Sequence, residues 1–163
     1  MLRVFLNQKQ TDVIQRVMAA VGALLPHNRV SVRVRRGTAV AIVTSYSKTW
    51  PSLLPQHGPG RKHRRRLVLE PWQREIVTGH PGEFLRGLIE SDGSRHQRIV
   101  RGRDYPAYSF SNRSEDILQM FMWAGGLVGI RPRRASRVAI SIARRPDVAR
   151  VDVITGRAIA APP

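Results

Sequence analysis

The chain has 163 residues, with 25 Arg, 3 Lys and only 11 Asp plus Glu, for a formal charge of +17. The absence of cysteine excludes a disulfide scaffold and thiolate metal sites. The longest uncharged apolar runs are too short to span a membrane, and 42% apolar residues is too many for a disordered basic tail. A foldable chain this basic points to a polyanion, most often nucleic acid. The preference for Arg supplies planar forks for phosphates and guanine edges, although a GC-rich genome is a plainer source of it.

The chain opens at Met1-Leu2-Arg3 in strand-like order, and no signal peptide is evident. After a strand at 4–7 and a polar turn comes a helix. Thr11 is its expected N-cap, Asp12 suits the helix dipole, and Val13, Ile14, Val17, Val21 and Leu24 form its apolar stripe. A hairpin follows, 29–35 and 39–45 about Arg36-Gly37-Thr38, then a short helix at 49–54. Alternation in 29–35 sets three valines on one face and Arg29, Ser31, Arg33 and Arg35 on the other. Residues 56–80 read as a linker whose basic run, including Arg61 and Lys62, suits a phosphate backbone. Its Glu70-Pro71-Trp72-Gln73 reads as a helix start. His57 and His63 have no Cys or nearby acid to complete a zinc site. Trp72 and Trp123 are expected in the core.

A helix is predicted over 81–92, with Phe84, Leu85, Leu88 and Ile89 as its stripe. Gly87 inside that stripe costs about 1 kcal/mol against Ala, which a closely approaching backbone would offset. Gly93 is expected to be the left-handed stop. Asp92 then sits at the negative end of the helix dipole, a conflict that a divalent cation resolves. Strands are predicted over 94–101 and 105–111, the latter with Tyr108 and Phe110 on one face. A helix then begins near Ser114, its expected N-cap, with Ile117, Leu118, Phe121 and Leu127 in its stripe. A second hairpin spans 130–134 and 137–143, with Val138, Ile140 and Ile142 inward and Arg137 outward. A helix at 146–153 and a tail at 155–163 close the chain.

Part of this order occurs twice. The stretch from Val4 to Gln15 aligns with that from Tyr108 to Gln119, and Val40-Ala41-Ile42 aligns with Val138-Ala139-Ile140. The expected organisation is α+β, with a first repeat at 1–55, a linker at 56–80, a second repeat at 81–154 and a flexible tail at 155–163.

Leu85-Arg86-Gly87-Leu88-Ile89-Glu90-Ser91-Asp92-Gly93 resembles the LAGLIDADG motif of homing endonucleases. The stretches 56–63 and 67–73 also resemble bacterial LAGLIDADG-like proteins often labelled transcriptional regulators. The resemblance implies two pseudo-symmetric repeats whose antiparallel, saddle-shaped sheets lie in the major groove of double-stranded DNA, and a cytoplasmic, nucleoid-associated protein. It implies Mg²⁺ held at Asp92 and Gly93, with Asp92, Gln97 and Arg131 as catalytic candidates for phosphodiester hydrolysis. Glu90 is at most a lesser metal candidate. Arg29, Arg33, Arg35, Arg61, Lys62, Arg95, Arg98, Arg133, Arg134 and Arg137 are the expected DNA contacts. The first repeat is incomplete, since no motif helix precedes its opening strand. A second acid would come from a missing N-terminal segment or a partner chain. A non-cleaving regulator on the same fold is the alternative function, and a basic RNA-associated protein a third.

Overall fold

The computed structural model describes residues 1–58, 61 and 64–157. The fold is α+β, with two antiparallel sheets and six helices among the described residues. None of those helices is long and apolar enough to cross a membrane. The chain divides into two compact units, Met1–His57 and Gly58–Pro163. Lys62 and the tail beyond residue 157 lie outside the described residues.

The first unit comprises β1 (Leu2–Asn7), α1 (Thr11–Leu24), β2 (Val30–Val34), β3 (Val40–Ser45) and α2 (Trp50–Leu53). The strand order is β1-β3-β2, and α1 packs on β2 and β3. Cross-strand partners share a face. Leu2, Val4 and Leu6 of β1 therefore join Val30, Val32 and Val34 of β2 around Ser45, Val43 and Ala41 of β3. The three β3 residues are buried, but Val32 and Val34 remain 45% and 56% exposed. Alternation thus assigns the valines to the correct face, which α1 only partly covers.

The second unit begins with α3 (Pro71–Gly79), then α4 (Pro81–Asp92), β4 (Gly93–Val100), β5 (Arg103–Ser111), α5 (Glu115–Leu127), β6 (Arg133–Ser136), β7 (Ala139–Ile142) and α6 (Arg145–Ile154). The expected start of α3 is present, with Pro71 in its first turn and Gln73 Oε1 accepting the Glu70 N–H at 3.0 Å. Trp72 is exposed rather than in the core, and Trp123 lies under the Arg74 guanidinium, 4.5 Å from it. The sheet order is β4-β5-β7-β6. Leu85 and Ile89 of α4 join Tyr108, Phe110, Leu118, Phe121, Ile140, Ile142, Val148 and Val151 in the core. The rings of Phe110 and Phe121 stack with centroids 4.3 Å apart.

Setting β4 aside, β5-β7-β6 repeats the order β1-β3-β2. The pairing fixes the correspondence. Leu6 faces Ala41 as Phe110 faces Ile140, and Val4 faces Val43 as Tyr108 faces Ile142. The flanking backbone bonds agree, Gln8 N–H to Ala39 O and Asn112 N–H to Val138 O, both 2.9 Å. The sequence alignment of Val40 with Val138 is therefore one residue out of register. Val138, expected inward, keeps the phase of the buried Ile140 and Ile142 but falls in the turn before β7 and is 40% exposed.

Three local expectations also change. Thr11 is the first residue of α1 rather than its cap, and Gln10 at the cap position makes no side-chain capping bond. Ser114 does occupy the cap position of α5 without capping it through its side chain. Its N–H is instead taken by Asn112 Oδ1 at 2.9 Å. Gly93 is extended, at φ −97° and ψ 158°, not left-handed. Glycine is needed there because a Cβ would lie 2.6 Å from the Ile89 carbonyl oxygen.

Candidate nucleic-acid interface

Strand alternation builds the cationic face of the second unit. On β4, Gly93, Arg95 and Gln97 stand opposite Phe110, Tyr108 and Pro106 and so share the helix-covered face. Ser94, His96 and Arg98 take the other face, opposite Ser109, Ala107 and Tyr105. The Ser94 and Ser109 hydroxyls meet at 2.8 Å. Across the sheet, Ser109 pairs with Ser141, and Ser141 with Arg133. An open groove of about 620 Å³ lies on this outer face. Its floor holds small residues, among them Ser109, Ala139 and Ser141, and its cations are Arg98, Arg131, Arg133 and Arg144 beside His96. No Asp or Glu lines it. Asp104, on β5, is paired with Ile99 in the alternate phase, toward the helices. The β4–β5 hairpin turns at Arg101 and Gly102 with φ 51° and 73°, a double positive φ characteristic of the tight type I′ turn.

The first unit offers the corresponding face. Arg3, Phe5 and Asn7 of β1 stand beside Thr44, Ile42 and Val40 of β3, which meet Ser31 and Arg33 of β2. Arg35 continues the ladder through its N–H to Val40 O, 2.9 Å. Arg29, Arg33 and Arg35 are all exposed, as expected. Arg61 is exposed as well.

Two expected contacts, Arg95 and the exposed Arg134, pair with acids of the chain itself. Arg95 Nε and Nη2 donate to Asp152 at 2.8 and 3.1 Å, and Tyr108 Oη donates to the same carboxylate at 2.5 Å. Burial, the largest single influence, works to raise the Asp152 pKa. The hydrogen bonds from Arg95 and Tyr108 and the charges of Arg95 and Arg157 overturn it, and the net shift is downward. Arg95 is raised, chiefly by its bond to Asp152. Arg134 pairs with Ile140, on the helix side; it donates to Glu115 Oε1 and to the Arg137 carbonyl. Arg137 is exposed at the tip of the β6–β7 hairpin.

The three catalytic candidates do not converge. Arg131 lines the groove, with its N–H on Asp147 Oδ2 at 3.2 Å. Gln97 is on the opposite face of β4. Asp92 is exposed where α4 runs into β4 and lies outside the groove lining. Its Oδ2 accepts from Asn112 Nδ2 at 3.0 Å and from Ser91 Oγ at 3.4 Å. Glu90 is bonded to Arg86 at 2.8 Å, one turn away. Among the described residues no three His, Cys, Asp or Glu side chains group around one point.

Sequence reasoning missed His96, Arg144 and Asn112. His96 was within reach, because it shares the phase of Arg98; Asn112 shows its role only once α4 is seen to end beside β5. The chain matches no protein-family model and no curated protein.

Proposed function

We propose that this protein binds duplex DNA through the outer faces of its two sheets, as a LAGLIDADG-type DNA-binding protein. The carrying observation is the sorting of charge: Arg98, Arg131, Arg133 and Arg144 surround an acid-free groove. Ordinary solvated faces mix both signs. Arginine supplies forks for phosphate oxygens and for guanine N7 and O6, and the major groove admits a two-stranded β-ribbon.

Mg²⁺ binds through one or two carboxylates and keeps waters or phosphate oxygens in its other positions, which suits Asp92 as one ligand. Two-ion hydrolysis needs carboxylates on both sides of ions about 4 Å apart, and among the described residues no group of three His, Cys, Asp or Glu side chains includes Asp92. Binding is the function proposed for this chain by itself; cleavage would require a second acid from a further segment or a partner chain.

Fluorescence anisotropy with a 30-base-pair duplex, the matching single strand and a hairpin RNA tests the reading. The duplex is expected to bind tightest, with no nicks in 5 mM Mg²⁺ and no affinity change in Asp92→Asn. Tighter binding to the RNA hairpin would replace DNA by RNA as partner. Nicking that Asp92→Asn abolishes would restore the nuclease.

A further inference from the structure

The shared register of the two sheets exposes a chemical difference between them. Phe5, Ile42 and Arg33 form one row across the first sheet. The corresponding row in the second sheet is Ser109, Ser141 and Arg133. Phe5 lies on the face away from α1, beside Ile42, and is 62% exposed. The flanking rows carry Arg3 on one side and Arg35 on the other. An exposed aromatic ring among cations, with no acid in any of these rows, has its charge complement in a polyanion that also presents apolar groups.

The major groove presents such a group, the C5-methyl of thymine, and apolar side chains recognise it by contact. We infer that Phe5 and Ile42 read pyrimidine C5-methyl groups in the major groove, a selectivity that the Ser109–Ser141 row of the second unit lacks. Serine hydroxyls pair with either kind of base and gain nothing from a methyl. The inference rests on the duplex reading above and adds residue roles to it. Burying one methyl-sized group is worth about fourfold in affinity, and two about sixteenfold.

The probes are four duplexes of 30 base pairs: alternating A·T, the same with every thymine replaced by uracil, alternating G·C, and the same with 5-methylcytosine. The methylated member of each pair is expected to bind about four- to sixteenfold more tightly, with the same salt dependence as its partner. Phe5→Ala should reduce that ratio about fourfold and the double variant Phe5→Ala/Ile42→Ala should bring it to near one, while Phe5→Leu should keep most of it. The exposed ring makes both single variants safe for folding. The paired variant Ser109→Ala is expected to leave the ratio unchanged. Equal binding of methylated and unmethylated duplexes by the wild type overturns this inference and leaves the duplex reading standing. A Phe5→Ala loss that falls on single-stranded oligonucleotides and spares all four duplexes overturns it in favour of base stacking. Failure to bind any of the four duplexes overturns the duplex reading itself.

Discussion

Asp152→Asn isolates the ion pair that ties α6 to the sheet. The carboxylate is 5% exposed and accepts two bonds from Arg95 and one from Tyr108. The amide keeps the volume, loses the charge and turns an NH₂ toward donors. Removing one partner of a buried ion pair costs about 3–5 kcal/mol. The Arg95 side chain keeps 29% of its surface in water, which relieves part of its isolation and places the cost near the lower end, about 3 kcal/mol. For a unit of this size that corresponds to a fall in Tm of about 10–20 °C. Urea denaturation followed by circular dichroism measures it directly. In an Arg95→Met background the same change should cost at least about 1 kcal/mol less, since the two groups share one network. A loss below about 1 kcal/mol, or strictly additive effects, would refute the assignment of Arg95 to the fold.

The same triad sets the acid limit. Asp152 has a folded pKa below its unfolded value, so its contribution is complete above about pH 4 and is lost as pH falls through the folded pKa. Acid titration of Asp152→Asn should show a flatter decline in stability below about pH 4 than the wild type, and parallel curves would count against it. Gly93→Ala is expected to destabilise by about 1–3 kcal/mol, because the added Cβ would lie 2.6 Å from the Ile89 carbonyl oxygen. Gly87→Ala should instead stabilise by up to about 1 kcal/mol, since nothing lies within 4 Å of its would-be Cβ. Thermal melts of the two variants that shift in the same direction would contradict the local geometry.

How much was legible follows from the range of each signal. The helix and strand order could be read because each element carries its own period: the valines of 30–34, and Leu85 and Ile89 of α4, are repeated at spacings that local sequence preserves. The phase between elements could not. Ala39-Val40-Ala41 and Val138-Ala139-Ile140 are all apolar, so hydrophobicity alone does not choose between two registers one residue apart; the cross-strand ladder does. Gly93 was correctly singled out for the wrong reason, since its close neighbour is a carbonyl one turn earlier in α4. Arg95 and Arg134 look like their neighbours by charge. Their acids, Asp152 and Glu115, lie far along the sequence, and only folding brings them together. The helix expected over 81–92 is present as α4, and Asp92, the one acid the resemblance offers in this chain, stands exposed at its end.

The most direct test compares Arg133 and Arg134, adjacent in sequence and on opposite faces of β6. Arg133 pairs with Ser141 on the groove side and Arg134 with Ile140 on the helix side. The measurement is the slope of log affinity against log salt for a 30-base-pair duplex, taken for the wild type, Arg133→Ala and Arg134→Ala. The account predicts a steep wild-type slope that Arg133→Ala reduces by about 0.9, one phosphate contact, and that Arg134→Ala leaves unchanged. A slope that both substitutions reduce equally, or that neither changes, would contradict it.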